Sequence, residues 1–183
     1  MSVFNFFDKK VEGRELSNYY LSPVNIDGRQ YASGEHAFHG SKYTLLGNNN
    51  AGDGDRKAEL LDYGKKFEDG EEFGSLKPSI IKSKGGKKGL RLTDDELRIW
   101  SVLSIGVQDK ICRYKYNNYE IVRNVLHNTG TQTLVHPALR CSEKQLSNKI
   151  WEGKGVVIDG KVHVLGGNKL GKMWMNLRDG TNK

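Results

Sequence analysis

Glu35 and Lys42 stand seven residues apart in the stretch Ala-Ser-Gly-Glu-His-Ala-Phe-His-Gly-Ser-Lys-Tyr, residues 32–43. An α-helix turns about 100° per residue, so seven steps return a side chain to within roughly 20° of where it began. The carboxylate and the amine therefore share one helical face two turns apart, with Phe38 and His39 between them. An acid, an imidazole, an aromatic ring and an amine on one strip can move protons or present an amine nucleophile. The same spacing also describes a solvated helix face with one buried Phe, since charges at helical spacing are common on surfaces. What decides between the two is how the rest of the chain holds the strip.

Residues 3–7 are mostly apolar and aromatic and predict a first short strand; Ser17-Asn18-Tyr19-Tyr20 reads as a turn. Val24 and Ile26 alternate with polar neighbours, Asp27-Gly28 suits a tight turn, and Gln30 and Tyr31 return, which together predict a hairpin. Ser33 can cap the next helix by accepting from its free first-turn amides, and that helix is expected from Gly34 to Leu46. Asn48 to Asp55 reads as a polar, Gly-rich loop without the downstream Glu of an EF-hand, and Asp55 as the cap of a short helix through Lys66. Lys82 to Arg91 holds five cations and three glycines in ten residues, which predicts a mobile basic loop able to contact phosphates, or else a plain solvated charge run.

Thr93-Asp94-Asp95-Glu96 has the spacing of a capping box. The row Leu97, Trp100, Leu103, Val107, Ile111 and Tyr114 then predicts the longest helix, expected at the centre of the core. A second helix with Ile121, Val122, Val125 and Leu126 follows, and then an extended Thr133-Leu134-Val135. Val156 to Ile158, Asp159-Gly160 and Val162 to Leu165 predict a final hairpin. Gly166-Gly167-Asn168 opens a helix whose apolar face carries Leu170, Trp174 and Leu177. That junction suits close approach of a phosphate to free amides, or an ordinary tight connection capped by Asn168.

A chain of 183 residues, 36% hydrophobic and 28% charged, with three Trp and eight Tyr, has enough apolar material for a packed core, and residues 1–183 are expected to form one domain. The fold class expected from the elements is α+β, mostly helical, with short β-hairpins. A net charge of +7, from 29 basic and 22 acidic residues, favours polyanions or phosphorylated small molecules as partners. Cys112 and Cys141 lack CxxC spacing, which points to reduced thiols and a cytoplasmic or nuclear location. The first residues do not read as a secretion signal, and no stretch approaches the roughly 20 apolar residues of a membrane span. His36, His39, His127, His136 and His163 show no metal-ligand spacing, and there is no GxGxxG, Walker loop or nucleophile elbow, so neither metal nor cofactor is expected.

These pieces taken in order resemble the NADAR family, the YbiA-like proteins associated with NAD and ADP-ribose. The resemblance runs through Asn5-Phe6-Phe7, Leu16-Ser17-Asn18-Tyr19, Ile26-Asp27-Gly28 and Gly34-Glu35-His36-Ala37-Phe38-His39-Gly40-Ser41-Lys42-Tyr43. It resumes at Trp100 and Ile150-Trp151, and closes with Gly166-Gly167-Asn168-Lys169-Leu170-Gly171 through Met175-Asn176-Leu177-Arg178. It implies a YbiA-like fold and cleavage of an N-glycosidic bond between a ribose C1 and a base-like nitrogen. Family members differ in substrate: some act on phosphoribosylamino intermediates of riboflavin synthesis, others remove ADP-ribose from guanine in nucleic acid. By the same resemblance Glu35 takes the acid/base position and Lys42 the motif lysine. Asn18, His39, Trp100, Trp151, Gly167, Asn168 and Leu170 would contact the substrate.

The chain departs from the family pattern at Gly34, where Ser or Thr is common, and at His39, where Gln is. Glu152-Gly153-Lys154-Gly155 stands where an Asp often precedes a glycine, and Asn48 to Asp55 and Ser142 to Lys149 read as insertions. The expected partner is ADP-ribose or ADP-ribosylated nucleic acid as substrate, with no membrane and no obligate protein partner. Three activities stand as expectations: ADP-ribosyl-guanine hydrolase first, a glycosidase of riboflavin intermediates second, and a reader that binds ADP-ribose or NAD without cleaving it third.

Overall fold

The computed structural model describes residues 2–7, 9–50, 54–139 and 141–181. Two compact units make up the chain: the continuous segment Asn18–Lys115, and a second unit that joins Met1–Ser17 to Tyr116–Lys183. Numbering elements along the whole chain, β1 is Val3–Asn5, β2 Val24–Ile26, β3 Arg29–Tyr31, β4 Thr133–Val135, β5 Lys154–Ile158 and β6 Lys161–Leu165. The helices are α1 Gly34–Asn49, α2 Gly54–Lys65, α3 Pro78–Lys84, α4 Asp94–Asn118, α5 Glu120–Asn128, α6 Glu143–Leu146 and α7 Lys169–Arg178. The architecture is α+β and mostly helical, and the strands among the described residues form short pairs.

In the continuous unit, β2 and β3 pair antiparallel with Val24 opposite Tyr31. Asp27 and Gly28 take φ of 52° and 83°, the left-handed pair that a two-residue hairpin turn demands. Val24, Ile26 and Tyr31 all point into the core, the pattern of a half-buried strand. Ser33 then caps α1 from an extended backbone, with Oγ 3.5 Å from the His36 amide and 2.8 Å from His36 Nδ1.

Helix α1 is enclosed nearly all round. Its buried residues run from Gly34 through Gly47 and include Glu35, His36, Ser41, Lys42 and Thr44 beside Ala37, Tyr43 and Leu46. Glycines make this enclosure possible. A Cβ at Gly64 of α2 would fall within 3.1 Å of the Gly40 carbonyl and 2.8 Å of Thr44 Oγ1, so only glycine lets the two helices approach so closely. Tyr43, Tyr63, Phe67 and Phe73 fill the core in mainly edge-to-face contacts, at 4.7 Å between the tyrosines and 5.2 Å between the phenylalanines. Phe67 is fully buried, and truncating such a ring to Ala costs about 3–5 kcal/mol.

The other unit is built around a parallel pair, β1 with β4, in the register Val3 to Thr133, Phe4 to Leu134 and Asn5 to Val135. Helix α7 packs on β4, and a Cβ at Gly171 would strike the Leu134 carbonyl. Trp174, fully buried on α7, donates its indole N–H to the Leu16 carbonyl at 3.0 Å, so the largest core ring leaves no orphaned donor. Phe6, Leu16, Val122, Leu126, Leu134 and Leu177 are buried in this core as well. Strands β5 and β6 form the expected hairpin with Asp159-Gly160 at its turn.

Several elements differ from the sequence reading. Helix α1 runs past Leu46 to Asn49, taking in residues assigned to a loop, and Asp55 lies inside α2; of that loop, residues 51–53 lie outside the described residues. The basic stretch 82–91 is anchored, because Lys82 to Lys84 complete α3 and the following turns are hydrogen-bonded. Tyr63 donates to the Lys84 carbonyl at 3.0 Å and Tyr43 to that of Leu90 at 3.1 Å, clamping both ends. On α4 the capping box forms, with Thr93 N to Glu96 Oε2 at 2.8 Å and Glu96 N to Thr93 Oγ1 at 3.2 Å. Its buried face, however, is Ser104, Val107, Gln108, Ile111, Cys112 and Lys115, while Leu97 is 49% exposed. Half of that stripe is polar, so apolar periodicity alone could not phase it. Burial pushes the Cys112 thiol up to about 12, which keeps it protonated. The Ser142 to Lys149 segment contains α6, started by a capping box between Ser142 and Gln145.

Candidate functional site

The strip on α1 is buried, which excludes the solvated-face reading: Glu35 is 8% and Lys42 7% exposed. Glu35 sits in the first turn, where the helix dipole favours an acid, and its own amide donates to the Asn18 carbonyl at 2.9 Å. One turn on, His39 Nε2 lies 3.1 Å from Glu35 Oε1, so the imidazole N–H orients the carboxylate. Lys42 Nζ donates to the Gly85 carbonyl at the end of α3 and lies 4.5 Å from the centroid of the Tyr43 ring.

Burial is the main force on the Lys42 amine and brings its pKa from 10.5 to about 8, while the charge of Glu35 opposes the shift. A lysine tuned this way supplies an appreciable neutral fraction near pH 7, which an amine nucleophile requires. His36, beside Glu35 in the chain, is pushed down by burial and bonded to Ser33, which suits a packed neutral imidazole.

Phe38 presents its ring edge-on to Trp100 of α4, with centroids 5.0 Å apart and planes at 68°, and also meets His39 at 5.6 Å. Trp100 is half-buried, so part of its surface faces solvent next to the strip. Asn18, expected at the pocket wall, is engaged in structure. Its amide pairs reciprocally with Gln108 at 2.7 Å and 3.0 Å, and Gln108 also reaches Cys112 Sγ at 3.4 Å. Asn18 thus ties the chain before α1 to the buried polar stripe of α4.

Trp151, Gly167, Asn168 and Leu170 belong to the other unit. Here the amides read as free for a phosphate are occupied: Gly167 N donates to Lys149 O at 2.7 Å, Asn168 N to Glu152 O at 3.0 Å and Lys169 N to Ile150 O at 2.9 Å. Asn168 does not cap α7 with its side chain. Fully buried and left-handed at φ 45°, it donates from Nδ2 to Leu134 O at 2.9 Å and accepts at Oδ1 from His136 N at 3.1 Å. Leu170 is core, at 5% exposure, and Trp151 is half-buried. Among the described residues no three His, Cys, Asp or Glu side chains gather as a metal site, and no helix is long and apolar enough to cross a membrane.

No family model and no curated protein matches the sequence. Escherichia coli YbiA, solved by NMR, superposes with a TM-score of 0.60 over 98% of this chain and 84% of that one, at 20% sequence identity. The chain has the YbiA-like fold.

Within this YbiA-like fold, the residue that sequence reasoning missed is Gly85. It lies 43 residues from Lys42, in a run whose charges and glycines predict a mobile phosphate-contacting loop, yet its carbonyl holds the lysine nitrogen. A Cβ there would overlap the His39 ring. The Gly85-Gly86 pair was the one available signal, since paired glycines mark places where backbone is closely approached.

Proposed function

We propose that the chain is an N-glycosidase that breaks the bond between a ribose C1 and a base nitrogen, with ADP-ribosyl-guanine in nucleic acid as its leading substrate. Co-burial of Glu35 and Lys42 on one face of α1, with the amine desolvated and the carboxylate oriented by His39, carries this reading. As the C1–N bond breaks, its electron pair leaves with the base and positive charge develops on the ribose, where a nearby carboxylate stabilises it. The neutral Lys42 amine bonds to C1 and gives up a proton to Glu35. Glu35 returns that proton to the ring oxygen as the C1–O bond opens, leaving an imine. Water adds to the protonated imine, the amine departs carrying the extra proton, and the sugar is released as its free aldehyde form; that proton passes to the base nitrogen that left with the electron pair, so the sum is hydrolysis. In the simpler variant Glu35 takes the proton from water itself, and Lys42 holds the water or the sugar hydroxyls.

Half-buried Trp100, edged by Phe38, offers a ring for the leaving base. The exposed Lys82, Lys87 and Lys88 and the net charge of +7 suit a substrate borne on a polyanion. A phosphoribosylamino intermediate of riboflavin synthesis is the alternative substrate. The reading from a different class is a non-enzymatic reader that binds ADP-ribose or NAD without cleaving it.

Incubation with an ADP-ribosyl-guanine oligonucleotide and, separately, with the riboflavin intermediate separates these outcomes. Release of ADP-ribose from the first, with unmodified guanine left in the strand, is the expected result. Cleavage only of the second moves the activity to the metabolite, and equal binding of substrate and product with no C1–N bond broken identifies a reader.

A further inference from the structure

We propose that Gly85 is the positioning residue for the Lys42 amine: its carbonyl fixes the direction of the nitrogen, and its missing side chain makes room for the imidazole that orients Glu35. The proposal rests on the glycosidase reading of the α1 strip. Two observations support it from opposite sides of the same residue. The Gly85 carbonyl is the acceptor of Lys42 Nζ. At its α-carbon, a methyl would run into Cγ and Nδ1 of His39, and Cβ of His39 would lie 2.7 Å away. The ring cannot give way cheaply, because its Nε2 is bonded to Glu35 and it packs edge-on against Phe38.

Gly85 is itself held firmly. Its amide closes the last turn of α3 on the Ile81 carbonyl, Ile81 is fully buried, and the neighbouring Lys84 carbonyl accepts from Tyr63. Gly85 has φ −78°, a conformation open to any residue, so what requires glycine is space and not backbone angle. A neutral primary amine has two N–H bonds and one lone pair. With one N–H engaged by a fixed carbonyl, the lone pair can sweep only a narrow cone, so the nucleophile is aimed before the sugar arrives. The end of α3 therefore acts as a buttress for both reacting groups, one directly and the other through His39.

The test is Gly85→Ala, alone and in a His39→Ala background, with two readouts. Base release is followed as separate kcat and KM, and the titration of Lys42 is followed by pH-dependent acylation of that lysine and mass measurement. In the wild-type background we expect kcat to fall on the order of 10–100-fold, the effect of displacing a reacting group by about 1 Å, with KM little changed. We expect the Lys42 midpoint to rise as water reaches the amine. With the imidazole gone the methyl has room, so Gly85→Ala in the His39→Ala background should cost less than about twofold in either readout. Equal losses in both backgrounds, or an unchanged Lys42 midpoint and kcat in the single variant, would overturn the proposal. If Gly85→Ala alone does not fold, the comparison within the His39→Ala background still decides it, since a further loss above tenfold there contradicts a role exerted through His39. Should the wild-type protein release no base from any substrate, the glycosidase reading fails, while the Lys42 titration continues to report whether Gly85 governs the amine.

Discussion

The sharpest consequence of the site concerns how Lys42 titrates. With a pKa of about 8 instead of 10.5, the amine is neutral in roughly 9% of molecules at pH 7, against roughly 0.03% for an unperturbed lysine, a gain of about 300-fold in available nucleophile. Base release through an imine should therefore climb about tenfold per pH unit below pH 8 and level off above it. Glu35 sharpens the test. Its negative charge holds the lysine's pKa up, so Glu35→Gln removes a stabiliser of the ammonium form and should move the Lys42 midpoint further below 8. The rate of base release against pH reads the wild-type protein, and pH-dependent acylation of Lys42 with mass analysis reads the inactive variant too. A Lys42 midpoint near 10.5 in the folded protein, or one that rises on Glu35→Gln, would refute the burial-plus-charge account of this amine.

The same burial makes Lys42 a liability for stability. Its folded pKa lies below the unfolded value, so between about 8 and 10.5 the unfolded chain keeps a proton that the folded chain has shed, and stability rises with pH through that window. Below pH 8 the cost stands in full, on the order of 3 kcal/mol. Lys42→Met should accordingly abolish base release yet stabilise the fold at pH 7 by about 1–2 kcal/mol, after allowing for the Gly85 carbonyl left without its donor; urea unfolding that shows more than 1 kcal/mol of loss would contradict it. Asn168→Ala removes a buried hydrogen bond to Leu134 of β4 and a partly buried one from His136 just beyond it, and should destabilise by about 2–3 kcal/mol in the same measurement. A cost below about 0.5 kcal/mol would mean that this pin does not hold its unit together.

The sequence spoke most clearly where a local rule governs. Asp27-Gly28 and Asp159-Gly160 form hairpin turns because the left-handed backbone they favour is required there. Ser33 and the Thr93 to Glu96 box start helices because first-turn amides need acceptors. Helical spacing also put Glu35, His39 and Lys42 on one face, but could not tell buried from solvated, since that depends on the approach of α2 and α3 through Gly64 and Gly85. Long-range pairing was equally hidden. Nothing in Val3–Asn5 names Thr133–Val135 as its parallel partner, and nothing in Asn18 names Gln108. The Gly167-Asn168 junction shows the opposite failure: a strand-to-helix turn suitable for phosphate has its amides taken by the backbone of residues 149–152, a contact no local motif reveals. The polar buried stripe of α4 misled the apolar count for a related reason, because Gln108 enters the core on the strength of a partner 90 residues away.

ADP-ribose release by Glu35→Gln and Lys42→Ala, each checked for a native circular dichroism spectrum, tests the site most directly. On an ADP-ribosyl-guanine oligonucleotide the wild-type chain should release ADP-ribose and leave unmodified guanine in the strand, while both folded variants lose that turnover. Near-normal release by both would place the chemistry elsewhere in the molecule.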